Sequence, residues 1–315
     1  MKEIIEGLAN EEYHNGKEYT PYISSTQLKD LLISPKAYKY KKEHPEEFEC
    51  SRDALEFGSL YHGYMESLVE RGDDTLFQEQ FHVFDAPINE RTGKPYGFDT
   101  GKYKEAYEKA KLENPDWEFV SADRKELVEK MIHELTNNCG ETSTQVKQLL
   151  KFGKAEVSHF VEYNGVKFKW RPDLETKNLI VDWKTIQADN LRPNTIAKQI
   201  HKFGYGISAA FYQFFEHQQS GKWKKFYWVF QQKTPPYDAI MVDASQWCYS
   251  YNKQFDMLNV GSSAQIFEKL RDLYIECVKE NKWRGCEIYI EPNFVGRRVL
   301  ELEDNSTMNF QLYNK

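Results

Sequence analysis

The chain has 315 residues, of which 40% are hydrophobic and 15% aromatic. That is the make-up of a folded globular protein, not of a disordered one. It contains no run of about 18 apolar residues, which excludes a transmembrane helix, and a net charge of −7 excludes a generally basic surface while still permitting a positive groove.

The length allows about two domains, or one with insertions. The start, MKEIIEGLANEEYHNGKEYT, lacks the apolar core of a secretory leader, so a cytoplasmic protein is expected. Residues 1–22 have no strong periodicity and read as a loosely tied arm. Ser24-Ser25-Thr26 offers an N-cap for a helix through Leu28, Leu31 and Leu32. Ser34-Pro35 ends it and opens another over 36–43. Tyr38 and Tyr40 there could stack on bases, although burial is the commoner fate. Cys50, Cys139, Cys248, Cys277 and Cys286 are scattered without a CxxC. They fit reduced thiols and exclude a four-cysteine iron–sulfur cluster.

Residues 52–71, RDALEFGSLYHGYMESLVER, read as a helix with Leu55, Leu60, Met65 and Leu68 on an apolar stripe. Gly58 and Gly63 each weaken it by roughly 1 kcal/mol relative to Ala. They permit close approach of another segment, and they flank His62. Glu66 lies one turn later on the same side. An edge strand over 80–84 precedes a Gly- and Pro-rich loop. That loop is either a plain surface connection or, through Arg91, Lys94, Tyr96 and Lys102, a DNA-contacting one. Helices follow over 102–113, 121–138 (capped by Ser121) and 144–150.

Residues 155–185 concentrate the chemistry. They read as three short strands over 156–163, 166–173 and 179–185, with Asn164-Gly165 as a two-residue hairpin turn. Side chains two apart share a face of a strand. Asp182 and Lys184 therefore project together, and Val181 and Trp183 pack on the other side. Asp173 ends the preceding strand within reach of Asp182, and Glu156 opens the first. Carboxylates meeting at a sheet end can hold a hard divalent cation; a nearby amine can orient or deprotonate a water that the cation activates. The competing reading is a solvated Asp-x-Lys face with a surface ion pair worth roughly 0–1 kcal/mol.

A polar link over 187–193 leads to a helix over 195–218, strands over 222–231 and 239–242, and a helix over 245–280 broken near 259–262. The tail, 287–303, alternates like strands. Basic runs occur at Lys36, Lys39, Lys41 and Lys42, at Lys147, Lys151 and Lys154, and at Lys222, Lys224 and Lys225.

The order RPD, turn, apolar strand, DWKT resembles the PD-(D/E)xK nuclease superfamily. More narrowly, it is similar to the exodeoxyribonuclease VIII (RecE-type) C-terminal nuclease domain. Asp173 stands at the first motif aspartate, Asp182 and Lys184 at the D-x-K, and Glu156 at the acidic residue opening the first core strand. SSTQLKDLLISPKAYKY and LEFGSLYHGYMES extend the resemblance to about residues 20–250. It implies an α/β restriction-endonuclease-like core, a mixed sheet flanked by helices. It implies one or two Mg²⁺ or Mn²⁺ ions on His62, Asp173 and Asp182, with Glu156 assisting and Lys184 positioning water. DNA contacts are implied at Tyr205 and Tyr212, and are expected at Arg171 and, from the loop's own residues, at Arg91 and Lys94. The family's Tyr-x-x-Gln-x-x-x-Tyr helix appears here with Tyr205 and Tyr212 but with Ser208 in place of Gln, whose paired contacts a hydroxyl cannot make. The activity implied is 5′→3′ exonuclease action on double-stranded DNA in phage or prophage recombination. A homo-oligomeric ring and a single-strand annealing protein as partner are implied as well. The expected division is an arm (1–22), a nuclease domain (23–285) and a β-rich extension (286–315). The alternatives are an inactive nuclease-like DNA- or protein-binding module, and an endonuclease of the same fold.

Overall fold

The computed structural model describes residues 2–48, 52–245, 248 and 262–286. The N-terminal part comprises strand β1 (Lys2–Ile5) and helices α1 (Asn10–Asn15), α2 (Ser25–Lys29), α3 (Pro35–Glu43), α4 (Arg52–Glu70) and α5 (Thr75–Gln80). Next come β2 (Phe81–Val83), the small hairpin β3 (Ile88–Asn89) and β4 (Lys94–Pro95), α6 (Gly101–Glu113), β5 (Glu118–Val120), α7 (Ala122–Asn137) and α8 (Gly140–Phe152). The central part holds β6 (Lys154–Ala155), β7 (Ser158–Tyr163), β8 (Val166–Trp170), β9 (Leu174–Glu175) and β10 (Leu179–Ile186). Helices α9 (Pro193–Phe203) and α10 (Tyr205–Ser220), strands β11 (Lys225–Gln232) and β12 (Ala239–Asp243), and α11 (Ser263–Glu280) complete it.

Strand β10 organises the rest. Its sequence, LIVDWKTI, is apolar on both faces except at Asp182, Lys184 and Thr185, as a central strand requires. It runs parallel to β11 in unbroken register from Leu179 opposite Lys225 to Ile186 opposite Gln232. A parallel neighbour needs a crossover, and α9 with α10 supplies it. The sheet order is β12-β11-β10-β9-β6, with β11–β12, β10–β9 and β9–β6 antiparallel. Successive side chains feed two cores. Ile180, Ile186, Trp228 and Phe230 pack with Phe211 of α10 and Phe267 of α11. Val181, Trp183 and Val229 pack with Leu60 of α4, Met131 of α7 and Val146 of α8. The result is a mixed sheet with helices on both faces, the architecture expected.

Three expectations need correction. The strands at 156–163 and 166–173 do not join β10 in one sheet along their length. Only the short flanking segments β6 and β9, just outside those ranges, do so; β7 and β8 form a separate antiparallel sheet in the order β1-β7-β8. The arm is also not loose. β1 pairs with β7 from Lys2↔Val161 to Ile5↔Ser158, and Tyr13, Tyr19 and Tyr22 enclose Phe160 in a small third core. Finally, the single helix expected over 195–218 is two helices. Gly204, at φ +62°, ends α9 and starts α10, a left-handed conformation that glycine adopts without steric cost.

Local signals explain most boundaries. Ser24 and Gln27 form a reciprocal capping box at α2. Ser34 accepts from Ala37 N ahead of Pro35 at α3, and Ser121 accepts from Arg124 N at α7. No helix among the described residues is long and apolar enough to cross a membrane. The strands expected over 287–303, most of the proposed extension 286–315 and the stretch 249–261 lie outside the described residues.

Candidate active site

The site forms where one long hairpin changes sheets. Its arms, β6–β7 and β8–β9, pair normally at both ends but part at Glu156 and at residues 171–173. Glu156 sits at φ +50°, a left-handed conformation that a non-glycine residue holds only when its surroundings impose it. Its N–H donates to Asp173 O at 3.4 Å across the gap. This break brings the side chains of Glu156 and Asp173 together. Helix α4 brings His62 to them. Gly63 lets α4 approach β2, because a Cβ there would lie 2.4 Å from Cε2 of the Phe81 ring.

His62 Nδ1 lies 3.4 Å from Asp173 Oδ1 and 3.9 Å from Glu156 Oε1. One donor atom from each of these three residues falls within 4.8 Å of the others. Asp173 Oδ2 accepts from Trp183 N at 2.6 Å, which ties it to β10. Lys184 Nζ lies 2.5 Å from Asp182 Oδ1 and 5.1 Å from the centroid of the Tyr205 ring.

The crowding perturbs four of these ionisable groups. Burial, reinforced by the Asp182 carboxylate, holds the Asp173 carboxyl well above its usual range. Burial pushes Glu156 up to about 8, against the opposing pull of Arg171. Burial and the Lys184 ammonium lower His62 to about 4, so its imidazole is neutral at neutral pH and offers a lone pair. Burial would lower Lys184, but the Asp182 and Asp173 carboxylates outweigh it and keep the amine charged. A neutral imidazole among carboxylates that repel one another is a donor set chemically suited to a divalent cation. His62, Glu156 and Asp173 come within 4.8 Å of one another, which joins Glu156, expected to assist, to two of the three expected ligands. Asp182 touches Asp173, but its Oδ1 is turned to Lys184.

The residues expected to contact DNA separate into three sets. Arg171 and Tyr212 line the cleft of about 850 Å³ that contains His62, Glu156 and Asp173. Arg171 is only 8% exposed, and its guanidinium is already engaged. It donates to Ser158 Oγ at 2.8 Å and Leu8 O at 2.9 Å, and it stacks on Tyr13 at 4.1 Å. It therefore braces the arm and is not a free phosphate contact. Tyr212 donates its hydroxyl to Arg171 O at 3.3 Å. Tyr205 faces Lys184. Arg91 and Lys94 stand exposed on the β3–β4 hairpin and are not among the residues that line the cleft.

Two features escaped sequence reasoning. The arm forms one wall of the cleft through Leu8, Asn10 and Tyr13; its tyrosines, spaced along 13–22, were the available signal. The second is a buried ionic group behind the site. Lys224 Nζ lies 2.9 Å from Glu175 Oε2 and 3.2 Å from Glu216 Oε1, and His159 Nε2 lies 3.2 Å from Glu175 Oε2. Lys224 thus belongs to the interior, not to the basic surface run at 222–225. Its ammonium already occupies the space between these two carboxylates.

Comparison with known proteins shows the family and the fold. The model of a family described as a PDDEXK-like domain of unknown function (DUF3799) matches residues 24–281. No curated protein matches the chain. Among solved structures, the crystal structure at 2.19 Å resolution of a protein from Eubacterium rectale named "Putative exonuclease" is similar, with a TM-score of 0.54 and 16% identity over 89% of this chain and 90% of that one. That likeness is one of fold.

Proposed function

Because the chain belongs to this PDDEXK-like family, within the PD-(D/E)xK superfamily, we propose that it is a metal-dependent deoxyribonuclease. The observation that carries the reading is the meeting of His62, Glu156 and Asp173 within 4.8 Å at a break in the sheet, beside the Asp182–Lys184 pair. His62, Asp173 and Glu156, joined by Asp182, would hold one or two divalent ions. Such a cation supplies Lewis-acid chemistry: it lowers the pKa of a bound water and steadies charge on phosphate oxygens. Lys184, on the same face as Asp182, orients the attacking water and donates to the scissile phosphate. Trp183 N holds Asp173 in place, and Val181 and Trp183 close the far side of the strand against solvent. An imidazole in the donor set favours Mn²⁺ over Mg²⁺ in affinity.

The finer reading is a 5′→3′ exonuclease acting on double-stranded DNA in phage or prophage recombination, of the RecE type. It rests on the four sequence segments quoted above and on the name of the Eubacterium rectale protein. A homo-oligomeric ring and a single-strand annealing partner follow from the same resemblance; gel filtration with light scattering tests the ring. The test of activity is digestion of linear duplex, covalently closed duplex and single strands with Mn²⁺. The exonuclease reading expects loss of linear duplex alone. Cleavage of the closed circle would make it an endonuclease, and no digestion of any substrate would overturn the enzyme.

One observation favours an inactive protein-binding module. Glu11, Glu66, Glu70 and Glu118 also line the cleft, and that wall repels phosphate unless cations screen it. Calorimetric titration with Mn²⁺ separates the two. Uptake of metal supports the nuclease; no uptake supports the module.

A further inference from the structure

Of the neighbours that steady the Lys184 charge, the carboxylates of Asp182 and Asp173 are both proposed metal ligands, and one other stays available when a cation binds. Asp182 lies 2.5 Å from Lys184. The other neighbour is the face of Tyr205, 5.1 Å from Nζ. A ring face attracts an ammonium through its quadrupole and neither removes its proton nor competes for the metal.

The ring is held in place. Tyr205 is the first residue of α10, directly after the left-handed Gly204. Lys29 Nζ donates to Phe203 O at 2.9 Å, fastening the α9–α10 corner to α2. A Cβ on Gly204 would lie 3.0 Å from Lys29 Cδ, so the lysine stem packs against the corner as well. Tyr205 stacks on Phe203 with centroids 5.5 Å apart and also meets Phe230 at 6.2 Å. Phe230 is the β11 residue directly opposite Lys184 in the sheet register.

We propose that Tyr205 is a positioning residue, whose ring face, fixed by the Lys29-clamped corner, holds the Lys184 ammonium ready for substrate rather than stacking on a DNA base. This deepens the nuclease reading and rests on it. The test replaces Tyr205 by Phe and then by phenylalanines carrying one, two and three ring fluorines. Fluorination is nearly isosteric and progressively cancels the negative ring face. Turnover of linear duplex with Mn²⁺ is measured beside DNA affinity with Ca²⁺, under conditions without cleavage. The expected result is a stepwise fall in kcat from the Y205F level, to about tenfold at three fluorines, with KM and DNA affinity unchanged. A flat kcat series overturns the proposal. So does affinity that falls in step with kcat, which is the signature of base stacking. An inactive wild-type protein would instead remove the nuclease reading itself. An active wild type with inactive K184A and a flat series removes only the role of Tyr205.

Discussion

Glu156 and Asp173 are poor neighbours without a cation between them, and stability should report this. Glu156 titrates near 8 in the folded chain against an ordinary 4.5. The folded state therefore keeps a proton that the unfolded chain releases, and stability falls as pH rises through that window. His62 has the opposite sign. Its folded value near 4 lies below the ordinary 6.5, so stability rises with pH between 4 and 6.5. Above 6.5 only the carboxyl effect remains. Urea unfolding in chelator should show stability decreasing from pH 6.5 to 8, and E156Q should flatten that slope. D173N should raise metal-free stability, because it removes a carboxyl whose ionisation burial opposes, and should abolish the stabilisation that Mn²⁺ gives wild type. The Asp-x-Lys and its partner Asp173 were readable because strand periodicity places alternate residues on one face. The left-handed turn at Glu156 was not, because no propensity marks a glutamate for φ +50°. It is imposed by the two sheets that the hairpin must join.

At the scale of elements, the Lys224 group ties β7, β9 and α10 to the residue that leads into β11. Two buried carboxylates depend on one ammonium there. Lys224→Met should destabilise the protein by about 3–5 kcal/mol, the cost of stranding buried charge, read from denaturant midpoints. The helix α4 poses a different balance. Gly63→Ala gains roughly 1 kcal/mol of helix propensity but drives a Cβ into the Phe81 ring. Overpacking of about 1–3 kcal/mol wins, so G63A should be less stable and should bind Mn²⁺ more weakly as His62 shifts. The sequence revealed α4, its glycines and His62, since a 3.6 period and flanking glycines are local signals. It did not reveal the split of the expected three-stranded unit into two sheets or the corner at Gly204. Both are set by contacts with distant segments: β1 in the first case and Lys29 in the second.

For the whole molecule, the family match begins at residue 24, yet one wall of the cleft is built from residues before it. The arm holds on through the stack of Arg171 on Tyr13 and through Lys169 Nζ, which donates to Tyr13 O at 2.5 Å. Tyr13→Ala should cost about 3–5 kcal/mol as a large buried ring is lost and should make residues 2–22 sensitive to protease while the central sheet stays folded. The arm read as loose because its strand is short and takes its order from pairing with β7. The account stands on Lys184 and the acids beside it acting together on a phosphodiester. The measurement that reaches this most directly is release of nucleotides from end-labelled linear duplex with Mn²⁺, comparing wild type with K184A at matched thermal midpoints. The account predicts that wild type digests the duplex and that K184A is slower by roughly 10²–10⁴-fold. Equal digestion by the two proteins, or none by wild type, would contradict it.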